Sequence, residues 1–258
     1  MQLVVDVGNT ETVLGVVSGR TDLKGHWRIS TKVPRTPDEY GHLLRGLLGE
    51  EGFAREDLTR AVVGSVVPAA TAVLVPTLEA MVHGPVFVVD PAVSLPVRLE
   101  VDEPRTVGAD RIVNTLAARE LYHRDVIAVD LGTATTFDCI TEDGVFVGGV
   151  IAPGVSAGLE WLGARTAKLP SVQFGPPGRV IGTRTEDCIQ SGIFYGVVDA
   201  VDGMVRRIRG SWERPEALVV ATGGYASLVG RHCATVERIE PWLTLYGLAL
   251  AGELLAGG

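Results

Sequence analysis

Hydrophobic residues open the chain in short β-branched runs over residues 3–7, 12–17 and 27–31, broken by Gly8-Asn9 and by Ser18-Gly19. Runs of that length and composition between turn residues predict three antiparallel strands. Thr36-Pro37-Asp38-Glu39 follows, with a capping hydroxyl, a proline suited to a first helical turn and a glutamate placed to close a capping box. It predicts a helix whose apolar face carries Tyr40, Leu43, Leu44, Leu47 and Leu48. An apolar run over 61–67 reads as a buried strand, 69–82 as a helix and 86–90 as another strand. The order of the first half is strand, strand, strand, helix, strand, helix, strand.

That order returns. Residues 126–131, 135–141 and 145–151 form a second trio, with Asp143-Gly144 as the turn between its last two members. A long helix over 186–209, a buried strand over 217–221, a break at Gly223-Gly224 and a closing amphipathic helix over 243–255 complete the half. The expected fold is α/β, two copies of one unit over 1–115 and 116–258, each with a mixed sheet, forming two lobes with a central cleft.

Composition narrows the function more than the fold. A net charge of −8 argues against a chain that grips nucleic acid by bulk charge, so any anion site is local. Cys139, Cys188 and Cys233 are far apart and odd in number, which predicts neither disulfides nor a thiolate metal site and points to a reducing, cytoplasmic setting. No basic stretch precedes the first apolar run, and no run approaches the ~20 residues that span a bilayer. Neither a secreted nor a membrane protein is expected.

Candidate chemistry gathers at strand ends. Asp6-Val7-Gly8-Asn9-Thr10 and Asp130-Leu131-Gly132-Thr133-Ala134-Thr135 each set an aspartate at the end of a buried strand and a glycine two residues later. Such a turn is either a plain hairpin or a loop whose backbone N–H groups approach a phosphate while the aspartate holds a hydrated cation. Its recurrence at equivalent places favours phosphate. Gly108-Ala109-Asp110-Arg111 begins a helix, where Asp110 is either a dipole-compensating residue or a general base, with Arg111 beside it to steady negative charge. Gly223-Gly224 is either a helix entry or a flat surface for a nucleobase. Thr183 and Glu186 have capping-box spacing ahead of the long helix.

Taken together, these segments resemble the type III pantothenate kinases, a branch of the acetate and sugar kinase and actin superfamily with a duplicated ribonuclease H-like fold. The resemblance spans nearly the whole chain. It also rests on residues 27–31, Val63-Gly64-Ser65-Val66-Val67-Pro68, Phe137-Asp138, residues 148–154, Ala167-Lys168-Leu169-Pro170, residues 190–196 and Ala221-Thr222-Gly223-Gly224. What it implies is phosphorylation of pantothenate by ATP, the first step of coenzyme A synthesis. It implies that Asp6, Val7, Gly8, Asn9, Thr10, Glu11, Thr12 and Val13 line the ATP phosphates, with Asp6 near magnesium, and that Thr133, Gly223 and Gly224 also contact ATP. Asp130 is implied to bind a monovalent cation, potassium or ammonium. Val101, Gly108, Ala109, Asp110, Arg111 and Thr185 are implied to bind pantothenate, with Asp110 as the base. A homodimer with the substrate site at the subunit interface is implied as well.

The chain departs from the family pattern at Val101, where tyrosine is common, at Asp102-Glu103-Pro104, where Asp-Asn-Pro is common, and at Glu11, where asparagine is common. Its segment over 91–96 has no glycine, unlike the family's. Two other readings of the scaffold are a catalytically weak homologue with a regulatory, transcription-linked role, and a phosphatase. The retained Gly-Ala-Asp-Arg segment speaks against the latter.

Overall fold

The computed structural model describes residues 1–165, 170 and 172–257. In chain order the elements are β1 (Gln2–Val7), β2 (Glu11–Ser18), β3 (Asp22–Ser30), α1 (Pro37–Glu50), β4 (Arg60–Ser65), α2 (Pro68–Met81), β5 (Val86–Val89), β6 (Arg98–Leu99) and α3 (Ala109–Tyr122). They continue as β7 (Val126–Leu131), β8 (Ala134–Ile140), β9 (Val145–Pro153), α4 (Ala157–Arg165), α5 (Thr185–Trp212), β10 (Leu218–Thr222), α6 (Ala226–Val229), β11 (Arg238–Ile239) and α7 (Leu243–Gly257).

The chain divides into two compact units, one of Met1–Leu121, Asp143–Phe146 and Leu243–Gly258, the other of Tyr122–Glu142 and Val147–Trp242. In the first, the sheet order is β3-β2-β1-β4-β5, antiparallel across β3, β2 and β1 and parallel across β1, β4 and β5. Alternation along β1 sends Leu3, Val5 and Val7 into a core with Tyr40, Leu44 and Leu48 of α1 and Leu74 and Leu78 of α2. Thr36 accepts from the Glu39 N–H while Glu39 reaches back to the Thr36 N–H, so the expected box closes and holds the Glu39 carboxyl below its ordinary range. The other face of β1 and β4 packs against α7. There Gln2 donates to the Ala249 carbonyl at 2.9 Å and Arg60 to the Gly252 carbonyl at 2.6 Å. The closing helix thus belongs with the unit that begins the chain, not with the residues just before it. A two-residue pairing of β6 with Val145 and Phe146 completes the unit.

The second unit repeats the scheme. Its sheet runs β11-β10-β7-β8-β9, with β7 and β8 antiparallel and β7, β10 and β11 parallel. Position for position this matches the order of the first sheet, which is the signature of a duplicated unit. Ile127, Val129 and Leu131 of β7 pack with Phe194, Val198, Val201 and Val205, four positions on one face of α5. Mid-helix Asp202 accepts from the Ala234 N–H at 2.9 Å, the Thr235 N–H at 2.9 Å and the Thr235 hydroxyl at 2.7 Å, tying the segment before β11 to α5. Burial raises this carboxyl, but those bonds and the Arg206 charge outweigh burial and hold it below its ordinary value. Next to it, burial first and then Asp202 and Asp199 push the Cys233 thiol up to about 12.

The Thr183/Glu186 capping box does not form. Arg184 is the N-cap of α5, with no side-chain cap, and Glu186 pairs with Arg184 at 3.6 Å. No helix among the described residues is long and apolar enough to cross a membrane.

Candidate active site

Asp6 stands next to the end of β1, with Val13 of β2 on one side and Gly64 of β4 on the other. The turn beyond it is closed by the Gly8 N–H on the Glu11 carbonyl at 3.0 Å, leaving Asn9 exposed at the tip. Buried Thr12 shares a hydrogen bond with Thr31 at 2.8 Å, and the Thr31 N–H donates to the Thr10 carbonyl, so β3 braces the loop from behind. Glu11, the acidic departure in this loop, forms an ion pair with Arg28 across the β2–β3 hairpin at 3.3 Å, which balances its charge beside the turn. Arg28 is a residue that sequence reasoning missed, because its partner lies seventeen positions away and only the strand register joins them.

Asp110 lies at the same end of β1 and β4. The Val66 N–H donates to the Val7 carbonyl, and Val66 packs against Gly108, whose backbone opens α3. A β-carbon on Gly108 would overlap Asp110 Oδ1, so only glycine leaves the carboxylate where it is. Asp110 Oδ1 accepts the Arg111 N–H at 2.9 Å. The Arg111 guanidinium lies over the Phe146 ring at 4.7 Å, and the Phe146 carbonyl accepts from Glu100, next to Val101. The unit therefore brings Asp6–Val13, Gly108–Arg111 and the Val101 segment together, with Phe146 as an unforeseen support.

The second unit builds the matching turn. Asp130 is flanked by Thr136 of β8 and Thr222 of β10, and the Gly132 N–H donates to the Ala134 carbonyl at 3.1 Å, leaving Thr133 exposed. Gly223 has φ +88°, and a β-carbon there would overlap Asp130 Oδ1 and press on the Leu131 backbone. The Tyr225 N–H donates to the Leu131 carbonyl, which brings Gly223 and exposed Gly224 beside the turn. Thr185, exposed, begins α5. Residues 167–169 of the Ala-Lys-Leu-Pro segment lie outside the described residues.

Both aspartates offer hard carboxylate oxygens beside open backbone, and Asp130 has hydroxyl side chains on either side. Among the described residues no three His, Cys, Asp or Glu side chains gather into a metal cage. The single carboxylate of the first loop, Asp6, suits Mg²⁺, which keeps most of its shell for water and phosphate oxygens.

The sequence model of the type III pantothenate kinases matches residues 2–207. The chain belongs to the type III pantothenate kinase family. It is 43% identical over 253 residues to the type III pantothenate kinase of Moorella thermoacetica, covering 98% of this chain and 99% of that one. To the type III pantothenate kinase of Acidothermus cellulolyticus it is 47% identical over 256 residues, covering 98% of each. The fold resembles a ROK family glucokinase from Streptomyces griseus in complex with glucose and AMPPNP, with TM-score 0.55, 15% identity and coverage of 100% and 99%. It also resembles the activator of 2-hydroxyisocaproyl-CoA dehydratase from Clostridium difficile with bound ADPNP, with TM-score 0.53, 14% identity and coverage of 100% and 97%. Family membership makes the chain an ATP-dependent pantothenate kinase of coenzyme A biosynthesis that works with Mg²⁺. The kinase reading, not the regulatory one, is what its curated relatives carry.

Proposed function

We propose that this pantothenate kinase binds the ATP phosphates with its two aspartate–glycine turns and activates the acceptor alcohol with Asp110. Asp6–Val13 and Thr133 offer N–H and hydroxyl donors to the phosphate oxygens, while Gly223 and Gly224 border the nucleoside. Gly108–Arg111, Val101 and Thr185 hold pantothenate. Asp110 accepts the proton of the primary hydroxyl as its oxygen attacks the γ-phosphorus and ADP leaves, and Arg111 steadies the charge that develops nearby. Asp6 would hold the Mg²⁺, which would supply charge neutralisation for the phosphates.

A monovalent cation, potassium or ammonium, belongs at Asp130, where a single carboxylate between two threonines suits a cation of low charge. The active form is a homodimer whose interface completes the substrate site. Supporting this, Ile151, Trp161, Val180 and Ile181 of the second unit are 61–82% exposed, an apolar area that a second copy would cover. The working compartment is the cytoplasm, where coenzyme A is made and three free thiols stay reduced.

The observation that carries the reading is the position of Asp110 at the strand ends that bear the first phosphate turn. Its test is coupled ADP release from purified protein. The expected rate depends on pantothenate and on potassium or ammonium, and Thr133→Val raises the KM for ATP with little change in that for pantothenate. ADP release indifferent to pantothenate would overturn the reading.

A further inference from the structure

Across the second sheet, four polar residues stand side by side at the carboxyl ends of the parallel strands. Thr136, Asp130 and Thr222 are in register on β8, β7 and β10, so their side chains share a face. The Glu240 N–H donates to the Ala221 carbonyl at 2.8 Å, continuing the β10–β11 ladder by one residue and setting Glu240 beside Thr222. The face therefore presents a hydroxyl, a carboxylate, a hydroxyl and a carboxylate in a row.

The two residues furthest from the phosphate turn are costly as they stand. Thr222 is fully buried and its hydroxyl has no hydrogen-bond partner among the described residues, which ordinary folded proteins avoid. Glu240 is half-buried, and burial raises its carboxyl above the ordinary range while the Trp242 N–H draws it part of the way back. A ligand with adjacent hydroxyls answers both, since a carboxylate accepts from two O–H groups and a threonine hydroxyl both donates and accepts. Strands in a sheet lie roughly 4.8 Å apart, so Glu240 stands about 10 Å from Asp130, two strands over. That matches the reach of a triphosphate chain from its outer phosphates to the sugar. Open α/β sheets take nucleotides at these strand ends, and an acidic residue on a ribose hydroxyl is a recurrent solution there.

We propose that Glu240 and Thr222 form the ribose subsite, with Glu240 accepting from the vicinal diol, so that this kinase selects ribonucleoside over deoxyribonucleoside triphosphates. The inference rests on the proposed ATP-binding role of the Asp130–Thr133 turn.

The test compares kcat/KM for ATP and for 2′,3′-dideoxyATP in the wild type, in Glu240→Met, which keeps length but removes both acceptors, and in Thr222→Val. The wild type is expected to prefer ATP by about 10-fold or more, the range for hydrogen bonds to a charged acceptor. Glu240→Met is expected to erase most of that ratio, and Thr222→Val part of it, with the KM for pantothenate held. A wild type that uses both nucleotides equally overturns the proposal whether or not either variant folds, as does a Glu240→Met enzyme that keeps the wild-type ratio. Thr133→Val separates the two levels. If it leaves the KM for ATP unchanged, the turn assignment itself fails; if it raises that KM while Glu240→Met still discriminates, only the ribose subsite falls.

Discussion

The two aspartate–glycine turns share a backbone scheme and differ in what presses on them. In each, an aspartate at the end of the central strand is flanked by an antiparallel hairpin partner and a parallel neighbour. In the first turn the parallel neighbour opposite Asp6 is Gly64, and the charged groups near that end include the Glu11–Arg28 pair and Asp110. In the second the neighbours of Asp130 are two threonines, and Gly223 lies against the carboxylate. The same backbone turn occurs twice; divergence of the neighbours set Asp110, the proposed base, near one copy and the hydroxyl row beside the other. Glycine shows the contrast well, because each of the carboxylates Asp110 and Asp130 has a glycine packed against its Oδ1 for a different mechanical reason.

Substituting those glycines separates the two regions. At Gly108 the new β-carbon meets the mobile end of Asp110, so the carboxylate swings away while the fold stays. Gly108→Ala is expected to lower kcat by about 10²-fold, the usual penalty for a misplaced catalytic group, with a thermal midpoint within about 2 °C of wild type. At Gly223 the obstruction includes the Leu131 backbone and φ is positive. Gly223→Ala is expected to destabilise by about 2–3 kcal/mol in urea titration and to raise the KM for ATP. Equal effects on stability at the two positions would break the contrast.

Asp202 sharpens it, because it anchors the approach to β11 from the middle of α5. Asp202→Ala is expected to cost about 1.5–2 kcal/mol at neutral pH. The sign with pH follows from a folded carboxyl held below its unfolded value. The wild type's advantage is full above the ordinary aspartate range and fades as pH falls through the depressed folded value, which urea midpoints across acidic pH would trace. The smallest effect belongs to the exposed Glu11–Arg28 pair: Glu11→Gln should shift stability by no more than about 0.5 kcal/mol. A shift of several times that size would mean that the pair holds the first turn together.

Much of this arrangement was legible from residue order alone. The two strand trios, the Thr36 capping box and both turns follow from local alternation and turn chemistry, which act over a few residues. What escaped depends on longer reach or on too little chain. β6 and β11 are two residues each and have no periodicity to read. α4 is a nine-residue helix that went unpredicted. The capping box at Thr183 was one residue out of place, since Arg184 takes the cap. α7 was expected to be amphipathic, but Leu243, Leu245 and six consecutive residues from Gly247 to Gly252 are buried, so it has no single apolar face to read and nothing local says which sheet it covers. In the site, Asp110 and the turns were visible as types; Arg28, Phe146 and the Thr222–Glu240 pair were not, because only strand register and packing bring them to their partners.

The division of labour between the turns requires that the chemical step depend on Asp110 and that nucleotide binding not. Rapid-quench single turnover with ATP, Mg²⁺, potassium and pantothenate reads that step directly. Asp110→Asn is expected to form phosphopantothenate about 10²–10⁴-fold more slowly, with ATP affinity by calorimetry close to wild type. A phosphoryl-transfer rate near that of the wild type would contradict the account.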